Sequence, residues 1–300
     1  MKFDNTFSYV YFLLEKLDFP SSTASDVKRF CEKIAENEQA AEKFCEIVKR
    51  YSDSKSCDFM KMSADMKEVS RSAGIHEYAG DLILYLALGE KMKDYYAEKG
   101  ISDEIYYNTL CDLRYKCEEC RLVYGVCGNF TVGWFPGFFA LTRFALGRLQ
   151  FELVKLPMDC EIDGVKLASS SPAINVHIPR TGDRLYYDQV KSAYRAAAHF
   201  FRDAFVDTPI IFGCHSWLLY PWNLEVLSPS SNLYAFCSDF TVIRTENYSD
   251  YSEIWRLFDC KYTGDASALP RDSSLRRAYA DRIERGEPLG HSLGVFIFKE

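Results

Sequence analysis

The period of the apolar residues changes once along this 300-residue chain, at Gly125, and that change limits the fold more than any other feature. Before it, apolar side chains recur every three or four residues. Val27, Phe30, Cys31, Ile34 and Ala35 form one such set, Phe44, Ile47 and Val48 another. Leu82, Leu84, Tyr85, Leu88, Met92 and Tyr95 mark a longer one. This spacing predicts helices. Ser22 and Ser25 are candidate N-caps for the first stretch, and Gly100 ends the helix over 79–96. Ser102 then caps a helix that carries Asp103 and Glu104 in its first turn and runs through Leu110, Leu113, Cys117 and Cys120 to about Tyr124.

Past Gly125 the texture is that of strands. Gly128, Gly133, Pro136 and Gly137 break up an aromatic segment, Trp134 to Phe144, which suits a core or a long apolar pocket equally. Leu149, Phe151 and Leu153 alternate with Arg148, Gln150 and Glu152, and Ile174, Val176 and Ile178 alternate with Asn175 and His177. Asp163-Gly164 between Cys160–Ile162 and Val165–Leu167 predicts a two-residue hairpin. A helix follows over 186–205, an apolar strand over 210–219, a short helix over 232–236 and a strand over 240–243. A charged helix over 274–287 and a strand over 293–298 complete the pattern. Strands joined both by hairpins and by helices predict an α+β fold with a mixed sheet flanked by helices. Two domains are expected, a helical one over 1–125 and a sheet domain over 126–300.

Composition narrows the function classes. The formal charge is 36 − 43 = −7, the wrong sign for a nucleic-acid binder. Arg271, Arg276, Arg277, Arg282 and Arg285 are read as the solvated face of a helix. The first residues carry no secretory pattern. The most apolar stretch, Trp134 to Gly147, is interrupted by Arg143 and falls short of the roughly 18 residues a spanning helix needs. The 11 cysteines form no repeat, which suits reduced thiols in a cytoplasm. A soluble cytoplasmic protein without a membrane anchor is therefore expected. No metal site is expected either, because Cys117 and Cys120 fall on one helix face and Cys127 does not complete four ligands.

The stretch from Ile174 to Leu185 reads as strand, glycine turn and helix start, an arrangement whose backbone N–H groups can hold phosphate. Arg180 and Arg184 add positive charge to it. Adjacent Cys214 and His215 point to opposite faces of a strand, so they do not pair with each other. Cys214 meeting His177 across strands would allow a covalent acyl-enzyme, and otherwise Cys214 is a buried small hydrophobe.

The order of strand, phosphate-type turn, long helix, strand, Asn-headed helix and strand is similar to the GNAT acyltransferase fold. Arg180-Thr181-Gly182 resembles a shortened form of that family's Arg/Gln-x-x-Gly-x-Gly/Ala loop, with the second glycine missing. Asn232 to Phe236 resembles its Asn-headed helix, with Phe236 and Cys237 in the places of the usual Tyr and Tyr234 the nearest phenol. Leu146–Glu152, Val176–Pro179, Cys214–Leu219 and Ser231-Asn232, with the helical front half, resemble a bacterial two-domain acyltransferase family. Its members join a helical N-terminal acyltransferase domain to a GNAT-like C-terminal domain.

That resemblance implies acyl-CoA or acetyl-CoA as co-substrate and an amine acceptor that attacks the thioester directly. The pantetheine arm would lie along Asn175–Pro179, including Ile178. The pyrophosphate would meet Arg180, Thr181, Gly182, Asp183, Arg184 and Leu185, with Asn232 close by. Glu152 is the first candidate base and His177 the second, and Tyr234, the nearest phenol, is a further catalytic candidate. Arg148, Gln150, Asn175, His215 and Trp217 are expected on the acceptor side. An acyl carrier protein could serve as donor in place of CoA. The alternative is a GNAT-like binding protein without catalysis, which the shortened glycine loop would also suit.

Overall fold

A computed structural model describes residues 3–299. They divide into two compact units. One ends at Phe144 and also holds Arg180–Gly182. The other comprises Ala145–Pro179 and the chain from Asp183 onward.

Six long helices build the first unit: α1 (Phe3–Lys16), α2 (Ser21–Glu36), α3 (Glu38–Asp53), α4 (Phe59–Ser72), α5 (Glu77–Glu98) and α6 (Asp103–Tyr124). Every residue from Ala79 to Gly89 of α5 is buried. A helix buried all round must sit in the centre of its bundle, and α1, α2, α3, α4 and α6 each pack against it. Ser102 Oγ accepts the Ile105 N–H at the start of α6, and Gly125, at φ +69°, ends that helix in the left-handed region. The α2 caps differ from expectation. That helix begins at Ser21 behind Pro20, whose fixed φ sets the entry, so Ser22 and Ser25 lie inside it. Ser25 Oγ donates back to Ser21 O.

The first unit extends beyond the change of texture at Gly125, for a packing reason. Phe135, Phe138 and Phe139, the last two on the short α7 (Pro136–Phe139), are fully buried among the helices. Phe139 lies 5.1 Å from Tyr85 and 5.7 Å from Tyr51, and Tyr51 Oη donates to Phe139 O at 2.8 Å. These aromatics are therefore core of the helical unit.

Asp81, on α5, is buried, and Ser63 Oγ donates to its Oδ1 at 2.6 Å. Burial pushes its carboxyl up to about 7. The folded chain then keeps a proton that the unfolded chain loses near pH 4. Stability is expected to fall as pH rises from about 4 to about 7, by about 4 kcal/mol in all, and to stay at the lower value above that. Asp81→Asn should remove this slope and melt several degrees above the wild type at pH 8 but not at pH 4. Melting curves of both proteins across that range check it, and parallel slopes would refute it.

The second unit holds a six-stranded sheet in the order β1-β2-β5-β6-β8-β7 and a separate hairpin, β3-β4. The strands are β1 (Arg143–Leu146), β2 (Leu149–Lys155), β3 (Cys160–Ile162), β4 (Val165–Leu167), β5 (Pro172–His177), β6 (Ile211–Ser216), β7 (Thr241–Tyr248) and β8 (Leu289–Ile297). Asp163 and Gly164 both take positive φ at the hairpin tip, as the Asp-Gly pair predicts. β5 and β6 are parallel, whereas β2-β5, β6-β8 and β7-β8 are antiparallel, so the sheet is mixed.

The two sheet faces have different neighbours. Helix α8 (Tyr187–Phe200) covers one, its Tyr194 ring 5.2 Å from Phe212 and 5.1 Å from Phe296. On the other face, Ile162 and Leu167 of the hairpin pack over Ala173, Ile211 and Val295 at one end. Farther along, β6 ends at Ser216, not at Leu219, because Ser216 Oγ accepts the Leu218 N–H and turns 217–219 into a single helical turn. The short helices α9 (Asn223–Val226), α10 (Asn232–Ser238) and α11 (Trp255–Phe258) and the longer α12 (Ser274–Glu284) complete the unit. Among the described residues no helix is long and apolar enough to cross a membrane.

Candidate active site

The register between β2 and β5 sets Glu152 opposite Asn175 and Gln150 opposite His177. Directly opposed residues share a face, so all four stand on the side away from α8, as their alternation predicts. Three of them converge. His177 Nε2 lies 2.8 Å from Glu152 Oε1, and Asn175 Nδ2 lies 3.1 Å from the same oxygen and 3.0 Å from that nitrogen. One carboxylate oxygen thus accepts from two N–H donors. An Nε2–H pointing at Glu152 leaves the lone pair of a neutral imidazole on Nδ1. Glu152 and His177 are about four-fifths buried, which strengthens the contact between them. Gln150 is fully buried beside them.

The strand on the other side of β5 parts from it. Parallel pairing with β6 is confined to Ile174 with Phe212 and Asn175 with Gly213. Beyond that point β5 stays paired to β2 as far as His177, and β6 to β8 as far as Ser216. Each strand is held from outside while the inner edges separate, which opens a gap beside His177. Gly213 is the last β6 residue paired to β5, on the same sheet face as Asn175 and next to the point where the strands part. A Cβ placed on it would meet only Gly294 O, at 3.9 Å, so the backbone tolerates a side chain there. Sequence reasoning missed Gly213, although a glycine inside an apolar strand is a known sign of close approach by another group.

The other residues singled out from the sequence fall in different places. Ile178 is half-buried just past the end of β5. Arg180, Thr181 and Gly182 group with the helical unit, while Asp183, Arg184 and Leu185 group with the sheet unit. Gly182 takes φ +85° with open space around it, so it serves the turn. Helix α8 begins at Tyr187, two residues past Leu185, and the Asn232 side chain accepts the Tyr187 N–H at 3.3 Å. Asn232 therefore caps α8. Tyr234, half-buried on α10, gives its backbone N–H to Ser231 Oγ, and no hydrogen bond joins it to the Glu152 cluster. Arg148 precedes β2 and donates to Pro179 O at 3.1 Å and Asp183 O at 3.4 Å, bracing the loop after β5.

His215 stands on the same face as His177, exposed, with its ring 5.7 Å from His291. Partial burial and the neighbouring His291 hold its pKa below the usual histidine value. Trp217 leaves the strand and packs edge-on to Tyr279, lining a small cavity with Tyr248, Glu253 and His291. Cys214 corrects an expectation. The register of β6 turns it to the α8 face, opposite His177, and it is fully buried. Burial pushes its thiol well up, so neither geometry nor ionisation suits a thiolate nucleophile.

Comparisons with known proteins agree on this architecture. Residues 143–296 match the model of the GNAT-like C-terminal domain, and residues 10–141 match the N-acyltransferase N-terminal domain. No curated protein matches the chain. Among solved structures, an acyltransferase in complex with decanoyl-CoA and teicoplanin is similar at 21% identity and a TM-score of 0.70, over 96% of this chain and 87% of that one. A mutant of an acyltransferase in complex with octanoyl-CoA aligns with the same figures. An acyltransferase in complex with decanoyl-CoA aligns at 20% identity and a TM-score of 0.68, over 96% and 86%.

Proposed function

The chain belongs to the N-acyltransferases that join an N-acyltransferase N-terminal domain to a GNAT-like C-terminal domain, and on that premise we propose that it moves an acyl group from an acyl-CoA to an amine by direct attack. The observation that carries the reading is the parting of β5 and β6 beside the Glu152–Asn175–His177 cluster. Pantetheine is an extended chain with two amides, and a gap between parallel strands offers it backbone hydrogen bonds as an added strand would receive. The similar structures hold decanoyl-CoA or octanoyl-CoA, which supports a medium-chain thioester as donor.

The chemistry follows from the residues at the mouth of the gap. Glu152 fixes the His177 ring with its Nε2–H engaged, and Asn175 donates to the same carboxylate oxygen. Nδ1 then accepts the proton of the attacking amine as nitrogen bonds to the thioester carbon. Backbone N–H groups along the gap stabilise the oxyanion. Collapse breaks the carbon–sulfur bond, and the leaving thiolate takes a proton to give CoA thiol and the amide. His177 is the base in this scheme, and Glu152 orients it. The reaction is assigned to the cytoplasm, in keeping with 11 free cysteines.

Thermal-shift titration of the whole chain with CoA, acetyl-CoA, decanoyl-CoA and octanoyl-CoA tests the donor. A ligand at 100 times its Kd adds about 2.7 kcal/mol to the native state and should raise Tm by several degrees. Medium-chain thioesters are expected to shift Tm most. Mass spectrometry of an amine panel that includes teicoplanin, an acceptor bound by a similar acyltransferase, then tests transfer. A Tm shift with no acylated product would favour a binding protein. No shift with any thioester would shift the donor to an acyl carrier protein.

A further inference from the structure

We infer that Cys117 and Cys127 form a redox modification site, closing a reversible disulfide between α6 and the loop that follows it. The two sulfurs lie 3.8 Å apart. A disulfide needs about 2.0 Å, so closure requires a movement of about 1.8 Å, within reach of side-chain rotation and a small backbone shift. Cys117 is fixed in the helix. Cys127 lies two residues past Gly125, outside the helix. Cys120, one turn farther along α6, is also buried, but the sulfur contact is made by Cys117.

The surroundings divide the roles. The Cys117 hydrogen bond and the nearby Arg121 guanidinium pull the Cys127 thiol below its ordinary value despite burial. The Cys117 thiol is pushed up by that same contact and by burial. Cys127 is thus the nucleophile and Cys117 the resolving thiol. With hydrogen peroxide as oxidant, the Cys127 thiolate attacks one oxygen, the O–O bond breaks, and the departing hydroxide takes a proton to leave as water. The Cys127 sulfenic acid that remains is then attacked by Cys117 sulfur. The S–S bond forms as the S–O bond breaks, and the Cys117 proton leaves with the hydroxyl as a second water. Two thiols lose two electrons and two protons, and one peroxide becomes two waters.

The loop carrying Cys127 is itself anchored. Asn129 N–H donates to Tyr78 O at 2.8 Å, and a Cβ on Gly128 would lie 2.4 Å from the Tyr78 carbonyl carbon. Oxidation would therefore tie the last turns of α6 to the first turn of α5 through a short closed loop.

The test treats the purified full chain with hydrogen peroxide, alkylates remaining thiols under denaturing conditions and maps the peptides by mass spectrometry. A Cys117–Cys127 cross-link that dithiothreitol reverses is expected, with a rise in Tm of about 5 °C in the oxidised form. Cys117→Ser and Cys127→Ser should each abolish the cross-link, and Cys120→Ser should leave it. Should a serine variant fold poorly, the alanine variant at that position replaces it. A Cys120–Cys127 link, direct over-oxidation of Cys127 to the sulfinic acid, or full alkylation of Cys117 and Cys127 after treatment would each overturn the inference.

Discussion

His177→Ala is expected to lower kcat for acyl transfer by about 100-fold to 10,000-fold while changing KM for the thioester by less than about threefold. The direction follows from position. His177 stands at the end of β5, paired to Gln150 of β2, and its ring nitrogen is held by Glu152. In the proposed mode backbone groups along the gap hold the thioester, so removing the ring would leave the donor in place and delete the proton acceptor. Added imidazole should restore part of the rate, a rescue that a purely structural role would not give. Glu152→Gln keeps an acceptor for Nε2–H but removes the charge opposite an imidazolium as it forms. Its kcat should fall about tenfold to 100-fold, again with little change in KM. Asn175→Ala removes the second donor to the same oxygen and is expected to cost less than either. Equal kcat in His177→Ala and wild type, measured by CoA thiol release, would remove His177 from the mechanism.

The alternation of β2 and β5 made this cluster partly legible. Period-two reading puts Gln150 and Glu152 on one face and Asn175 and His177 on another, yet it cannot say that the faces coincide. The register does that, and it depends on the β3-β4 hairpin between the two strands, of which only the Asp163-Gly164 tip is visible in the sequence. Arg148 shows where extrapolation fails. It continues the polar alternation of β2 but precedes the first strand residue, next to Gly147 at φ +67°, and turns to the backbone of the next loop. Asn232 does head a helix, but Ser231 caps it, and the Asn232 side chain serves α8, a partner 45 residues earlier. Phe135 and Phe139 fit a pocket or a core equally by composition. Tyr51 and Tyr85 decided between the two, and they come from helices far back in the chain. β7 runs on to Tyr248, well past the expected Ile243, because Arg244, Glu246 and Asn247 lie on an exposed edge strand and blur the apolar pattern.

Gly213→Val is expected to abolish the Tm shift with acyl-CoA and raise KM for the thioester by about 100-fold, while the unliganded protein keeps its stability to within about 1 kcal/mol. The two halves of this result have separate causes. Gly213 lies within β6, paired to Val295 on one side and to Asn175 on the other. Valine favours a strand, and a Cβ here would meet only Gly294 O at 3.9 Å. Nothing in the fold therefore calls for glycine at this position. What the missing side chain leaves open is the face beside Asn175 and His177, where the strands part. A branched side chain there occupies the space assigned to the pantetheine arm and the thioester. Gly213→Ala, with one methyl group, should weaken binding by about tenfold, so the pair gives a graded series. The unliganded melting curve separates the causes, because loss of binding in a protein that melts like the wild type reflects the gap and not the fold. If Gly213→Val binds decanoyl-CoA as the wild type does, the donor lies elsewhere, and the glycine in β6 has no part in holding it.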